Sequence, residues 1–203
     1  VVGDVQTDVC LEKIRKRFGP LKAASEFPAL RRHEPSQEGE RRFEIETEDS
    51  TARLLMGWRS DVVGSKADPV LDVVSTLLST GKGSRLSVRL VEKEDLVAMG
   101  GVSTSNRARR YDGLFTVEVE LKPEALPEQA EKAVLEELKN LQNHPVTEGE
   151  LKRAKNILRS QFAFGKETVN SLSTDLAVYE ALGLPDYLKE YFGRIEAITA
   201  SDI

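Results

Sequence analysis

The sequence predicts an α+β fold: a mostly antiparallel or mixed sheet with helices packed on one face. Three observations predict it. Apolar residues alternate with polar ones in residues 41–47 and 111–121, the period of a half-buried strand. Apolar residues recur at helical spacing in residues 69–79, 127–143 and 150–162. The order is a strand pair, helices, a second strand pair and more helices, which suits helices segregated to one side of an antiparallel sheet.

Each element has a local reason. Residues 1–5 read as a short buried strand, and Thr7 as the cap of an amphipathic helix with Val9, Cys10, Ile14 and Phe18 as core positions. Gly19-Pro20 stops that helix. Residues 20–40 carry Pro20, Pro28 and Pro35 among scattered charges and read as a linker. In residues 41–47, Phe43 and Ile45 point one way and Glu44 and Glu46 the other. Residues 52–58 have Leu54, Leu55 and Met56 in succession, a run expected of a central strand rather than an edge.

The middle of the chain is a helix, a glycine break and a second helix. Asp68-Pro69 supplies a capping carboxylate followed by proline at the first helical position. Leu71, Val74, Leu77 and Leu78 share a face. Gly81 ends the helix, Gly83 frees the turn, and Ser84 caps a second apolar stripe of Leu86, Leu90 and Val91. Residues 96–105 and 111–121 follow as antiparallel strands around a basic tip at 106–110. Phe115, Val117 and Val119 lie opposite Thr116, Glu118 and Glu120. The last third is helical: 127–143, with Ala130, Val134, Leu138 and Leu141; a helix after the capping box Thr147–Glu150, with Leu151, Ala154, Ile157, Leu158 and Phe162; 168–182; and a short helix opened by Leu184-Pro185-Asp186 and ending near Arg194.

Composition bounds the function. The 203 residues suit one domain, or one domain plus a fragment of another, with 39% apolar residues for a core and 31% charged residues for a surface. A net charge of −5 argues against nucleic acid as a partner, which calls for a basic face. No apolar run approaches the roughly 20 residues of a membrane span, and no secretory signal pattern is present. The single cysteine, Cys10, excludes an internal disulfide and a cysteine-built zinc site. Compartment is not readable. The chain opens inside an apolar stretch without Met and closes at Thr199-Ala200-Ser201-Asp202, the spacing of a helix start, so it reads as a piece of a longer polypeptide.

Several motifs together carry a resemblance. Gly57-Trp58, the segment from Asp68 to Leu86, Gly113-Leu114-Phe115-Thr116 and the stretch from Glu150 to Asn156 occur in an order that resembles the non-catalytic half of the pitrilysin/insulinase zinc peptidases, the family that includes the mitochondrial processing peptidase. The likeness is nearest to bacterial members. It implies an α+β half-domain that forms one wall of a chamber enclosing an unfolded peptide. It also implies zinc held by an N-terminal catalytic half of the same polypeptide and none in this chain. On this likeness residues 1–24 are a strand–helix remnant of the catalytic half, 25–40 a linker, and 41–203 the inactive half-domain without its final helix and strand. Residues 1–5 could then dock in the vacant edge position of the sheet, within the chain or on a neighbour. The alternative is a non-catalytic assembly or scaffold subunit related to processing peptidases; a third reading is an independent binding module.

No residue of this chain is assigned a catalytic, cofactor-binding or metal role. Zinc hydrolysis needs three protein ligands, a water and a base. The only histidines, His33 and His144, are far apart, and neither sits in the His-x-x-Glu-His pattern of the family's catalytic half. Gly81-Lys82-Gly83-Ser84 lacks the upstream glycine and leading strand of a phosphate loop and reads as a helix–helix turn. The resemblance implies an arginine and, seven residues later, a tyrosine that touch substrate. Their slots hold Val91 and Ala98, and Arg89 points to another face. That departure implies a second subunit carrying the Arg/Tyr pair. Arg107, Arg109 and Arg110 beside Tyr111 read as a solvated tip, and Glu131, Glu136 and Glu137 as solvated helix faces.

Overall fold

The structure is a computed structural model that describes residues 1–22, 35–48 and 51–203. Its sheet has three antiparallel strands in the order β1 (Arg53–Ser60), β3 (Gly113–Leu121), β2 (Val97–Arg107). Side chains alternate across it. Leu54, Met56 and Trp58 of β1, Phe115, Val117 and Val119 of β3, and Val102, Thr104 and Asn106 of β2 share one face through the register Leu54↔Val119↔Val102 and its continuation.

The helices are α1 (Thr7–Phe18), α2 (Ala67–Ser79), α3 (Arg85–Ser87), α4 (Pro127–Asn143), α5 (Glu148–Gly165), α6 (Val169–Leu182) and α7 (Tyr187–Ala197). That face is covered by α2 and α3 over β2 and by α4 over β1, with α5 and α7 packed on α2. α3 continues directly into a π-helical turn, Val88–Lys93. Val73, Leu77 and Leu78 of α2 pack with Leu86, Leu90, Val134 and Ile195 over Val117 and Val119, all at most 0% exposed. Burial on this scale stabilises by about 1.5–3 kcal/mol per large aliphatic side chain. The α+β class and the one-sided helical layer match the sequence reading.

Local signals hold where they were strongest. α4 begins at Pro127 and ends at Asn143 as expected. α5 carries the predicted capping box: Thr147 Oγ1 accepts from Glu150 N at 3.2 Å, and Thr147 N donates to Glu150 Oε2 at 2.9 Å. Gly113 is required by a close approach, since a Cβ there would lie 2.4 Å from Ser60 Oγ and 2.5 Å from the Asp61 carbonyl.

Other expectations are corrected. Residues 1–5 form no strand and dock on no sheet edge within this chain; Val1 is 86% exposed. None of α1's side chains is buried, and its N-cap is Gln6, not Thr7. Residues 41–47 run without regular structure, with Phe43 and Ile45 84% and 80% exposed. An alternating pattern supplies a strand only when a neighbouring strand accepts its hydrogen bonds. β1 lies at a sheet edge, not centrally, and Leu55 in its apolar run is 67% exposed on the uncovered face. At the start of α2, Ser65 Oγ rather than Asp68 caps, accepting from Asp68 N at 3.2 Å. The linker read into residues 25–40 lies mostly outside the described residues.

Candidate functional site

Helix α2 carries two stripes. The apolar one was read from sequence; the other is polar, with Asp68, Asp72, Ser75 and Ser79 spaced by four, three and four. That spacing keeps them on one face of the helix, and the face lies against β2. There Ser75 Oγ and Ser79 Oγ meet Thr104 Oγ1 at 2.9 and 2.7 Å. One strand position pair further on, Asn106 Nδ2 donates to Asp68 Oδ1 at 2.8 Å and to Asp72 Oδ1 at 3.1 Å.

Helix α7 closes the network from the other side. Tyr187 donates its hydroxyl to Asp68 Oδ2 at 2.6 Å, and Tyr191 to Asp72 Oδ2 at 2.7 Å. Gly64 N also donates to Asp68 Oδ2 at 2.8 Å. Burial pushes the Asp72 carboxyl up to about 6 despite hydrogen bonds from Tyr191 and Asn106, and the neighbouring Asp68 adds to the rise. Burial, followed by the Asp68 charge, pushes the Tyr179 phenol up to about 12. Beside the network lies a cavity of about 310 Å³, walled also by Phe162 of α5 and by Asp175 and Tyr179 of α6.

The sheet's second face is uncovered. Across it run the rows Leu55↔Glu118↔Ser103, Gly57↔Thr116↔Ser105 and Arg59↔Leu114↔Arg107. Leu55 and Leu114 are exposed there. Beyond these rows β2 bulges between Val97 and Val102, where Gly100 has φ +88 and Met99 is exposed.

The residues singled out from sequence do not converge. His33 lies outside the described residues. His144 caps the end of α4, exposed, with Nδ1 3.3 Å from the Asn140 carbonyl. Val91 sits on the π-helical turn, and Ala98 in the bulge. Arg89 turns to Glu94 and to Glu136, the latter at 2.8 Å. Arg107, Arg109, Arg110 and Tyr111 are exposed, with Arg110 over the Tyr111 ring at 5.5 Å. The α4 acids are a correction: they are paired rather than simply solvated. Glu131 holds Arg42 at 2.5 Å, Glu136 holds Arg89, and Glu137 lies 3.7 Å from Arg85.

Comparison with known proteins places this architecture. The profile of the family described as the peptidase M16 inactive domain matches residues 1–158. The chain belongs to this family. The zinc protease PqqE of Helicobacter pylori is 26% identical over 198 residues, covering 94% of this chain and 44% of that protein. The chain thus spans less than half the length of this curated relative. The crystal structure of a protease from Helicobacter pylori superposes with a TM-score of 0.89 at 24% identity, over 99% of this chain and 49% of that one. A peptidase M16 inactive domain from Pseudomonas fluorescens superposes at 0.65 with 20% identity, over 75% of this chain and 36% of that one. Within this inactive peptidase domain, no group of three His, Cys, Asp or Glu side chains among the described residues could hold a metal ion.

Proposed function

We propose that this inactive domain forms one wall of a chamber around an unfolded peptide, with zinc held by a preceding catalytic half of the same polypeptide. The observation that carries the reading is the uncovered sheet face. Helices close the other side, and the open side presents Leu55, Leu114 and Gly57 beside Ser103 and Ser105. A surface that mixes apolar and hydroxyl side chains with the charged Glu118, Arg59 and Arg107 suits an extended peptide of variable sequence. Exposed apolar side chains on α1 and α6, among them Phe18, Leu176 and Val178, suit contact with further chain. The apolar Val91 and Ala98 suit a site whose substrate-orienting arginine and tyrosine come from a second subunit.

The test compares this chain with the full-length polypeptide, measuring zinc content and hydrolysis of an unfolded fluorogenic peptide. Zinc and turnover are expected only where the preceding half is present. In the full-length protein, Leu55→Glu and Leu114→Glu should leave zinc content unchanged and raise KM. Stoichiometric zinc or cleavage in this chain alone, or unchanged kinetics in both variants, overturns the reading.

A further inference from the structure

The cavity beside α2 is more than a packing defect. Two of its carboxylates have no charged donor: the donors to Asp68 and Asp72 are Gly64 N, Asn106, Tyr187 and Tyr191, all neutral, and no cation is among the groups that influence Asp72, whereas Asp175 on α6 interacts with the Lys166 ammonium. Asn106 also lines the cavity, and its Oδ1 is buried with no hydrogen-bond partner among the described residues. A buried carboxylate without a counter-charge is costly, and a cation placed within about 4–6 Å relieves that cost.

The lining is also aromatic. Phe162 stacks on Tyr191 with centroids 5.6 Å apart, and Tyr179 lies 5.0 Å from Tyr187. Ring faces attract ammonium groups, most strongly where water is excluded. This cluster already holds one at its margin, since Lys166 Nζ stands 3.4 Å from the Phe162 ring centroid. A space of about 310 Å³ opening beside the exposed Gln161 is at the small end of ligand pockets. A lining that interleaves rings with carboxylates suits an organic ammonium better than a hydrated metal ion, which takes a shell of oxygen ligands.

We propose that this cavity binds a primary alkylammonium group, with Asp72 and Asp175 taking the charge and Phe162, Tyr179 and Tyr191 flanking the alkyl chain. The site lies on the helical layer and does not depend on the chamber reading. The ammonium could belong to a free amine or to a lysyl side chain, and the experiment separates the two. The isotopically labelled chain is titrated by NMR with n-butylammonium, with an N-acetylated, C-amidated Gly-Lys-Gly peptide, and with n-butanol as the uncharged control.

Saturable binding of n-butylammonium with a Kd of about 1 mM or tighter is expected, with shifts centred on α2, α6 and α7. Asp72→Asn and Asp175→Asn should each weaken it about tenfold, and n-butanol should not compete. The two variants sit on different helices, so loss of fold in one leaves the other as the test. Peptide binding as tight as that of the free amine identifies a lysyl side chain as the source; binding of the free amine alone identifies a small molecule. Failure to saturate, shifts centred elsewhere, equal competition by n-butanol, or unchanged affinity in the folded variants overturns the proposal.

Discussion

Asp72 makes the stability of this domain depend on pH with an unusual sign. Its carboxyl is held at about 6 in the fold against 3.8 as the ordinary value, chiefly by burial. The folded state therefore binds the proton more tightly than the unfolded chain. The resulting stabilisation is complete below about pH 3.8 and is lost as pH rises through about 6. The difference of roughly 2 units, at about 1.4 kcal/mol per unit, comes to about 3 kcal/mol. Glu150 acts oppositely. Desolvation opposes its ionisation, but hydrogen bonds from Arg85 and Thr147 hold it near 2, below the ordinary 4.5, so its contribution fades only as pH falls below 4.5. The interval from pH 4.5 to 6 thus separates Asp72 from Glu150, and about 1.5 kcal/mol of the loss falls within it.

Urea unfolding followed by circular dichroism at pH 4.5, 5, 5.5 and 6 reads this directly, provided two probes give coincident transitions. The free energy of unfolding should fall by about 1.5 kcal/mol across the series in the parent chain. It should stay nearly level in Asp72→Asn, which has no proton to gain. A parent stability that rises over this interval, or an equal slope in the variant, would refute the assignment of Asp72 as a buried carboxyl without a counter-charge.

Three further outcomes test the fold. Leu77→Ala removes a side chain with no exposure at the centre of the core and should cost about 2–5 kcal/mol in urea unfolding. Thr147→Ala deletes the side-chain half of the α5 capping box and should cost about 1 kcal/mol, whereas Thr147→Ser should cost little. Gly64→Ala forces a Cβ to 2.9 Å from Leu184 Cδ1 at φ +80, and should lower the thermal midpoint, since neither the conformation nor the contact suits alanine.

How far the sequence reaches can be judged residue by residue. The α5 capping box was legible because Thr147 and Glu150 are three residues apart and satisfy one another. Phe115, Val117 and Val119 were legible because strand alternation is a property of adjacent residues. The Asp68–Asp72–Asn106–Tyr191 network was not. Its signal was present as the four-three-four spacing on α2, but a helix read by its apolar residues alone assigns polar ones to solvent. Here the facing strand supplies Thr104 and Asn106, and α7, more than a hundred residues on, supplies the tyrosines.

The same division holds for the sheet. Residues 41–47 have the composition of a strand yet join no sheet, and the apolar run in β1 sits at an edge. The amino-acid order by itself determined the α+β class, the start of α5, the limits of α4 and the membership in a peptidase family. Those features rest on contacts between near neighbours or on motifs that recur in order. Only the tertiary structure decided which strands pair, which sheet face stays open and where acidic groups are buried together. Such outcomes depend on partners distant in sequence, whose hydrogen bonds and exclusion of water exist only once the chain has packed.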